Sequence, residues 1–119
     1  MKEHLHYVYE YTDVDRAFWA EHLEDWMPPR IIDAHAHVAE PGLRLAPPTE
    51  AQRRSFWVAE VMEPQSAESL ARCYGIVYPR REVSLVCFGS PDLSYDTDGN
   101  NAYVSREATA RGWHGLAVC

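Results

Sequence analysis

His35 and His37 stand two residues apart near the end of a short run, Arg30-Ile31-Ile32-Asp33-Ala34-His35-Ala36-His37-Val38. Side chains on a β-strand alternate faces with period two, so this spacing aims both imidazoles the same way. Neutral imidazole is the commonest side-chain ligand for zinc and similar divalent ions. Two of them on one face can donate to one ion. An ion with an open coordination position brings the pKa of its bound water to about 7 and polarises a carbonyl under attack. The chemistry on offer is hydrolysis by a metal-activated water, with His35 and His37 as the ligands and zinc as the expected ion.

Strict alternation places Ile31 and Asp33 on the face of the two histidines. Ile32, Ala34, Ala36 and Val38 then form an opposite face, apolar and small enough to lie under a helix. Asp33 reads two ways: an acceptor that fixes an imidazole tautomer, or an interior carboxylate bonded to a neighbouring strand. The histidines also admit a bland reading, as two rings hydrogen-bonded within a sheet. A second His-x-His, His4 and His6, has no apolar strand around it and is not expected to hold metal.

A strand of this kind must sit in a sheet, and the flanking sequence supplies one. Residues 4–11 alternate loosely and predict an extended arm. A helix follows from Asp13 to about Trp26, with Thr12 as N-cap and Asp15 three residues on. Val14, Phe18, Trp19 or His22, Leu23 and Trp26 make its apolar stripe, and Pro28-Pro29 ends it. After Val38 comes a Pro/Gly loop, placed where an active-site loop follows a barrel strand. Thr49 and Gln52 form a second capping box that opens a helix through Met62. A shorter helix spans Ser66 to about Tyr74, capped by Gly75 and stopped by Pro79. Val83–Phe88 is near-continuously apolar, the mark of a strand buried on both faces in a parallel sheet. Residues 92–101 read as an acidic loop, then a helix from about Asn101 to Arg111 stops at Gly112. His114–Cys119 begins another buried strand. Strands alternating with helices mean α/β with parallel strands and right-handed crossovers. The sequence ends inside that third strand, so the chain is expected to be the leading part of a larger protein.

Composition narrows the function classes. The 119 residues are 46% apolar and 24% charged, as in a folded globular protein. A net charge of −7 argues against a nucleic-acid partner, which needs a basic stripe. The pairs Arg53-Arg54 and Arg80-Arg81 read as solvated surface. No run approaches the ~20 apolar residues of a membrane span, and the N-terminus lacks the apolar stretch of a signal peptide. Cys73, Cys87 and Cys119 contain no CxxC pair, which fits reduced thiols in a cytoplasmic protein. Asp92, Asp96 and Asp98 suggest a calcium loop, but aligning Gly99 with the turn glycine puts Ser94 first and Ser105 last, where acidic ligands are required. His114 opens the third strand at the end away from catalysis and reads as structural. His22 is expected on a helix surface, and Trp19, Trp26, Trp57 and Trp113 in packing.

The run Ile31-Ile32-Asp33-Ala34-His35-Ala36-His37 resembles the His-x-His of the first barrel strand in the amidohydrolase superfamily, most closely its amidohydrolase-related, metal-dependent hydrolase branch. The Pro-rich approach and Asp98-Gly99-Asn100-Asn101-Ala102-Tyr103-Val104 support it more weakly, and the likeness covers roughly residues 28–119. The resemblance implies a (β/α)8 barrel with one or two divalent metals, acting on an amide, lactone or ester-like bond of a small-molecule substrate, or decarboxylating an aromatic-type acid. It makes His35 and His37 metal ligands. Residues 1–29 would be an arm and helix, and residues 30–119 the first part of a partial (β/α)8 barrel of TIM type, roughly three strands. A whole barrel needs about 250 residues, so the chain by itself is expected to be inactive. The missing ligands and base would lie on later strands, and the whole protein could assemble as a homo-oligomer. Two rival readings stay open: a polymerase-and-histidinol-phosphatase-like phosphoesterase, which also begins with His-x-His, and a non-catalytic α/β binding module.

Overall fold

The computed structural model describes residues 3–6, 9–56, 65–91 and 94–119. Strand β1 (Glu3–His6) pairs antiparallel with β2 (Tyr9–Tyr11), so the expected arm folds back as a hairpin. Helix α1 (Asp13–Phe18) follows and widens into a π-helical turn over Trp19–Leu23. Its start is as expected: the Asp15 carboxylate accepts from both the backbone N–H and the hydroxyl of Thr12, each at 2.7 Å. Those two bonds hold the Asp15 carboxyl below the usual range. The expected apolar stripe is buried only in part. Val14, Phe18 and Trp26 are 77%, 54% and 65% exposed, while Trp19 is buried and Leu23 half-buried.

Strand β3 (Arg30–His37) is central to the site. Helix α2 (Glu50–Ser55) keeps the Thr49/Gln52 capping box, but it ends before Phe56, whose backbone is extended. The rest of the expected helix, residues 57–62, lies outside the described residues, Trp57 with it. Helix α3 (Ala67–Val77) starts at Ser66, whose hydroxyl accepts from the Ser69 N–H. It runs through Gly75 instead of stopping there, and Pro79 ends it. Strand β4 (Glu82–Phe88), helix α4 (Thr97–Arg111) and the short β5 (His114–Gly115) complete the chain. Helix α4 begins four residues earlier than expected because the Asp96 side chain caps it, accepting from the Gly99 N–H. Gly112, at φ +69°, takes the left-handed turn that ends it.

The chain is thus α/β. Strands β3, β4 and β5 form a parallel sheet in sequence order. Both crossover helices lie on one face. Leu70 of α3 and Tyr103, Val104 and Ala108 of α4 pack with Leu85 and Cys87 of β4 in a single core. The Tyr103 hydroxyl accepts from the N–H of Ala67, joining the two helices. Strand β4 is therefore buried on one face only. Leu85 and Cys87 are fully covered, whereas Ser84, Val86 and Phe88 on the other side are half-buried. Burial pushes the Cys87 thiol up, as suits an inert core residue. Strand β5 departs from expectation too, for His114 to Ala117 are exposed.

The pair Arg80-Arg81 divides. Arg80 is exposed, at the positive φ of 61°. Arg81 is only 10% exposed in its side chain. It donates to the carbonyls of Met27 and Glu24, pairs with the Glu24 carboxylate, and lies over the Trp19 ring. This node fastens the N-terminal helix to the foot of the sheet, at the ends of the strands away from the histidines.

Candidate metal centre

The register of β3 against β4 decides where the histidines point. Ile31 pairs with Val83 and Asp33 with Leu85, but the next pair is Ala36 with Cys87. Three steps on β3 thus match two on β4, so β3 carries one extra residue, a β-bulge at Ala34–His35. The bulge reverses the alternation. Asp33 lies on the helix-covered side with Leu85, and beyond the bulge Ala36 and Val38 take that side. His35 and His37 fall on the open side, where Ile32 is 67% exposed. The expectation that Asp33 shares the histidines' face is therefore corrected, as is the placing of Ile32 and Ala34 under a helix.

On the open face the two rings come together. Their Nε2 atoms are 3.2 Å apart and their centroids 5.1 Å apart. His37 Nδ1 lies 3.1 Å from the carbonyl oxygen of Gly89. A carbonyl can only accept, so Nδ1 carries the proton and Nε2 of His37 presents a lone pair. Two donors on a tetrahedral zinc, each ~2.05 Å from the ion, stand about 3.3 Å apart. The observed separation fits that edge. It also fits a hydrogen bond from His35 Nε2–H to His37 Nε2. Among the described residues no third histidine, cysteine or acidic side chain joins the pair in a metal-holding group. His22 sits on the surface beside Glu21, and His114 is on β5 opposite Val86.

Phe88 closes one side of the pair, its ring centroid 4.5 Å from that of His37 and 4.9 Å from that of His35. Gly89 follows directly, at the C-terminal end of β4, and its carbonyl fixes the His37 tautomer. It has no room for a side chain, since a Cβ there would stand 2.2 Å from Nδ2 of Asn100. Asn100 is the buried polar side chain of the described core, 2% exposed. Its amide donates to the Val38 carbonyl and accepts from the Glu40 N–H, both at 3.3 Å. One side chain from α4 thereby ties down the exit of β3 and lies against Gly89 at the exit of β4. Beyond them the two loops join: Arg44 pairs with Tyr95, and the Leu45 N–H donates to the Ser94 carbonyl at 2.6 Å.

Asp33 sits beneath the bulge. One carboxylate oxygen accepts from the backbone N–H of His35 at 2.9 Å, and the other accepts from the Tyr74 hydroxyl. Burial first, and then the bond to this carboxylate, hold the Tyr74 phenol far above its usual range. Of the two readings of Asp33, the acceptor for an imidazole N–H is not what is seen, since the bond is to the His35 backbone.

Phe88, Gly89, Asn100 and Tyr74 were not legible as site residues. Tyr74 and Phe88 read as packing, and nothing local links Asn100 to Gly89. The one usable signal was register: in a parallel sheet, the end of the next strand must lie beside the end of β3. Compared with known proteins, the chain matches no family model, no curated protein and no solved structure. No helix among the described residues is long and apolar enough to cross a membrane.

Proposed function

We propose that this chain carries the opening strands of a metal-dependent hydrolase of amidohydrolase type, in which His35 and His37 hold a divalent ion, most simply zinc. The observation that carries the reading is the 3.2 Å Nε2–Nε2 separation, with the His37 proton held on Nδ1 by the Gly89 carbonyl. A lone pair turned outward and a hydrogen bond behind it is the usual arrangement of a ligating histidine. When bound, such an ion supplies Lewis acidity and a water acidic enough to attack an amide, lactone or ester at neutral pH. The residues of this chain hold the two donors, seat them on Phe88 and cover the strand exits with joined loops.

The architecture supports a barrel reading. Consecutive parallel strands with both crossover helices on one face are the arrangement a (β/α)8 barrel wall is built from. A doubly wound sheet would place helices on both faces. In the barrel reading the open face, with Ile32, His35 and His37, is the inner wall. The other metal ligands and the base come from later strands, so catalysis belongs to the assembled barrel acting on a small molecule.

The test is metal content and turnover of the protein carrying this chain, with and without His35→Ala plus His37→Ala. Bound zinc and hydrolysis of amide, lactone or ester substrates are expected in the parent alone. Unchanged metal and turnover in the double variant would defeat the proposal. Turnover confined to phosphate monoesters would favour the phosphoesterase instead.

A further inference from the structure

An unbulged β3 could not make this site. With Asp33 on the helix-covered side, strict alternation would send His35 and His37 to the same side, beneath α3. They reach the open face because one residue is inserted between Asp33 and Ala36. Bulges need a local hydrogen bond to replace the ladder bond they break. Here that bond is from the His35 N–H to the Asp33 carboxylate, at 2.9 Å.

A carboxylate two residues back could swing away to water, and Tyr74 prevents this. Its hydroxyl, from the middle of α3 and 41 residues away in sequence, donates to the second oxygen of Asp33. The Tyr74 ring itself packs against the core. The helix therefore grips the carboxylate, and the carboxylate grips the bulge.

We infer that Asp33, held by Tyr74, is a positioning residue that creates the bulge and so brings the rings of His35 and His37 together onto the open face beside Phe88. Its consequence for metal binding rests on the reading of the two histidines as ligands, but the geometry of the rings does not. Asp33 touches neither ring; it acts through the His35 backbone. This assigns a task to both groups that neither composition nor spacing suggests.

Proton–nitrogen NMR of the full chain tests it, with Zn2+ alone as probe. In the parent, through-space cross-peaks connect the His35 ring to the rings of His37 and Phe88. In Asp33→Leu the cross-peaks of both histidine rings to Phe88 disappear, because without the inserted residue strict alternation carries both rings to the other face. Asp33→Asn keeps an oxygen for the His35 N–H and retains all of them. Zn2+ affinity follows the same order, falling at least ~10-fold in Asp33→Leu, the loss typical when a support behind a ligand is removed. Tyr74→Phe removes one hydroxyl and leaves the core ring in place, so it decides the matter if Asp33→Leu does not fold. Weakened cross-peaks from the two histidine rings to Phe88 in Tyr74→Phe support the inference. Unchanged cross-peaks in Asp33→Leu, or in Tyr74→Phe where the former is unfolded, overturn it. A parent that binds no Zn2+ at these rings would instead overturn the metal reading, and the cross-peaks would still decide the role of Asp33.

Discussion

Replacing Gly89 with alanine puts one methyl group where the Asn100 amide already is. The new Cβ would stand 2.2 Å from Nδ2 and 3.3 Å from Cγ of Asn100, too close for either to stay. Asn100 must withdraw, and its bonds to the Val38 carbonyl and the Glu40 N–H go with it. Glu40 is exposed, so its N–H finds water and the loss there is about 1 kcal/mol. Val38 is buried, so its carbonyl bears a desolvation penalty of about 1–3 kcal/mol. Gly89→Ala should therefore destabilise by about 2–4 kcal/mol. Asn100→Ala loses the same two bonds and should cost a similar ~2–4 kcal/mol. The double variant no longer contains the clash, because Cβ of residue 100 lies 3.7 Å from the new methyl, an ordinary contact. Its destabilisation should match that of Asn100→Ala alone, so the two changes are strongly non-additive. Urea unfolding followed by tryptophan fluorescence measures all four proteins, provided the denaturant slope is constant. Additive effects, or a Gly89→Ala chain as stable as the parent, would refute the account of this contact.

Other expectations are simpler. Gly75→Ala lies in the interior of α3 with nothing within 4 Å of the added methyl, so it should stabilise by about 1 kcal/mol in the same assay. Leu85→Ala empties the centre of the core beneath the sheet and should cost about 2–5 kcal/mol. Glu24 has its carboxyl held low, first by the hydrogen bond from Arg80 and then by that from Trp19. A depressed folded pKa gives stability that is present above the unfolded glutamate pKa and lost as pH falls through the folded one. Glu24→Gln should accordingly flatten the acid limb of a stability–pH curve, while an unchanged limb would show the cluster to be without effect.

Much of the architecture could be read from the residues, and its failures share a cause. The capping boxes at Thr12 and Thr49, the strand at Val83–Phe88 and the helix stop at Gly112 depend on neighbours within a few positions. Local chemistry specifies them. What period two could not show was the bulge in β3, since it depends on a tyrosine in α3. Alternation placed the two histidines together correctly, because both lie beyond the inserted residue. It failed for Asp33, which lies before it. The stripe on α1 misled in a similar way. Val14, Phe18 and Trp26 have the spacing of a buried face, yet of the expected stripe it is Trp19 that goes inward, at the π-helical turn and the Arg81–Glu24 node. Arg81 read as surface because nothing in Arg80-Arg81 says which of the two will meet the N-terminal helix.

The central claim is that one cation sits between His35 and His37, and zinc-edge anomalous diffraction from zinc-loaded protein tests it most directly. The account predicts a single strong peak about 2.0–2.1 Å from Nε2 of both rings, with His37 Nδ1 still bonded to Gly89. Zinc located elsewhere, with the two nitrogens still 3.2 Å apart in a direct hydrogen bond, would contradict it.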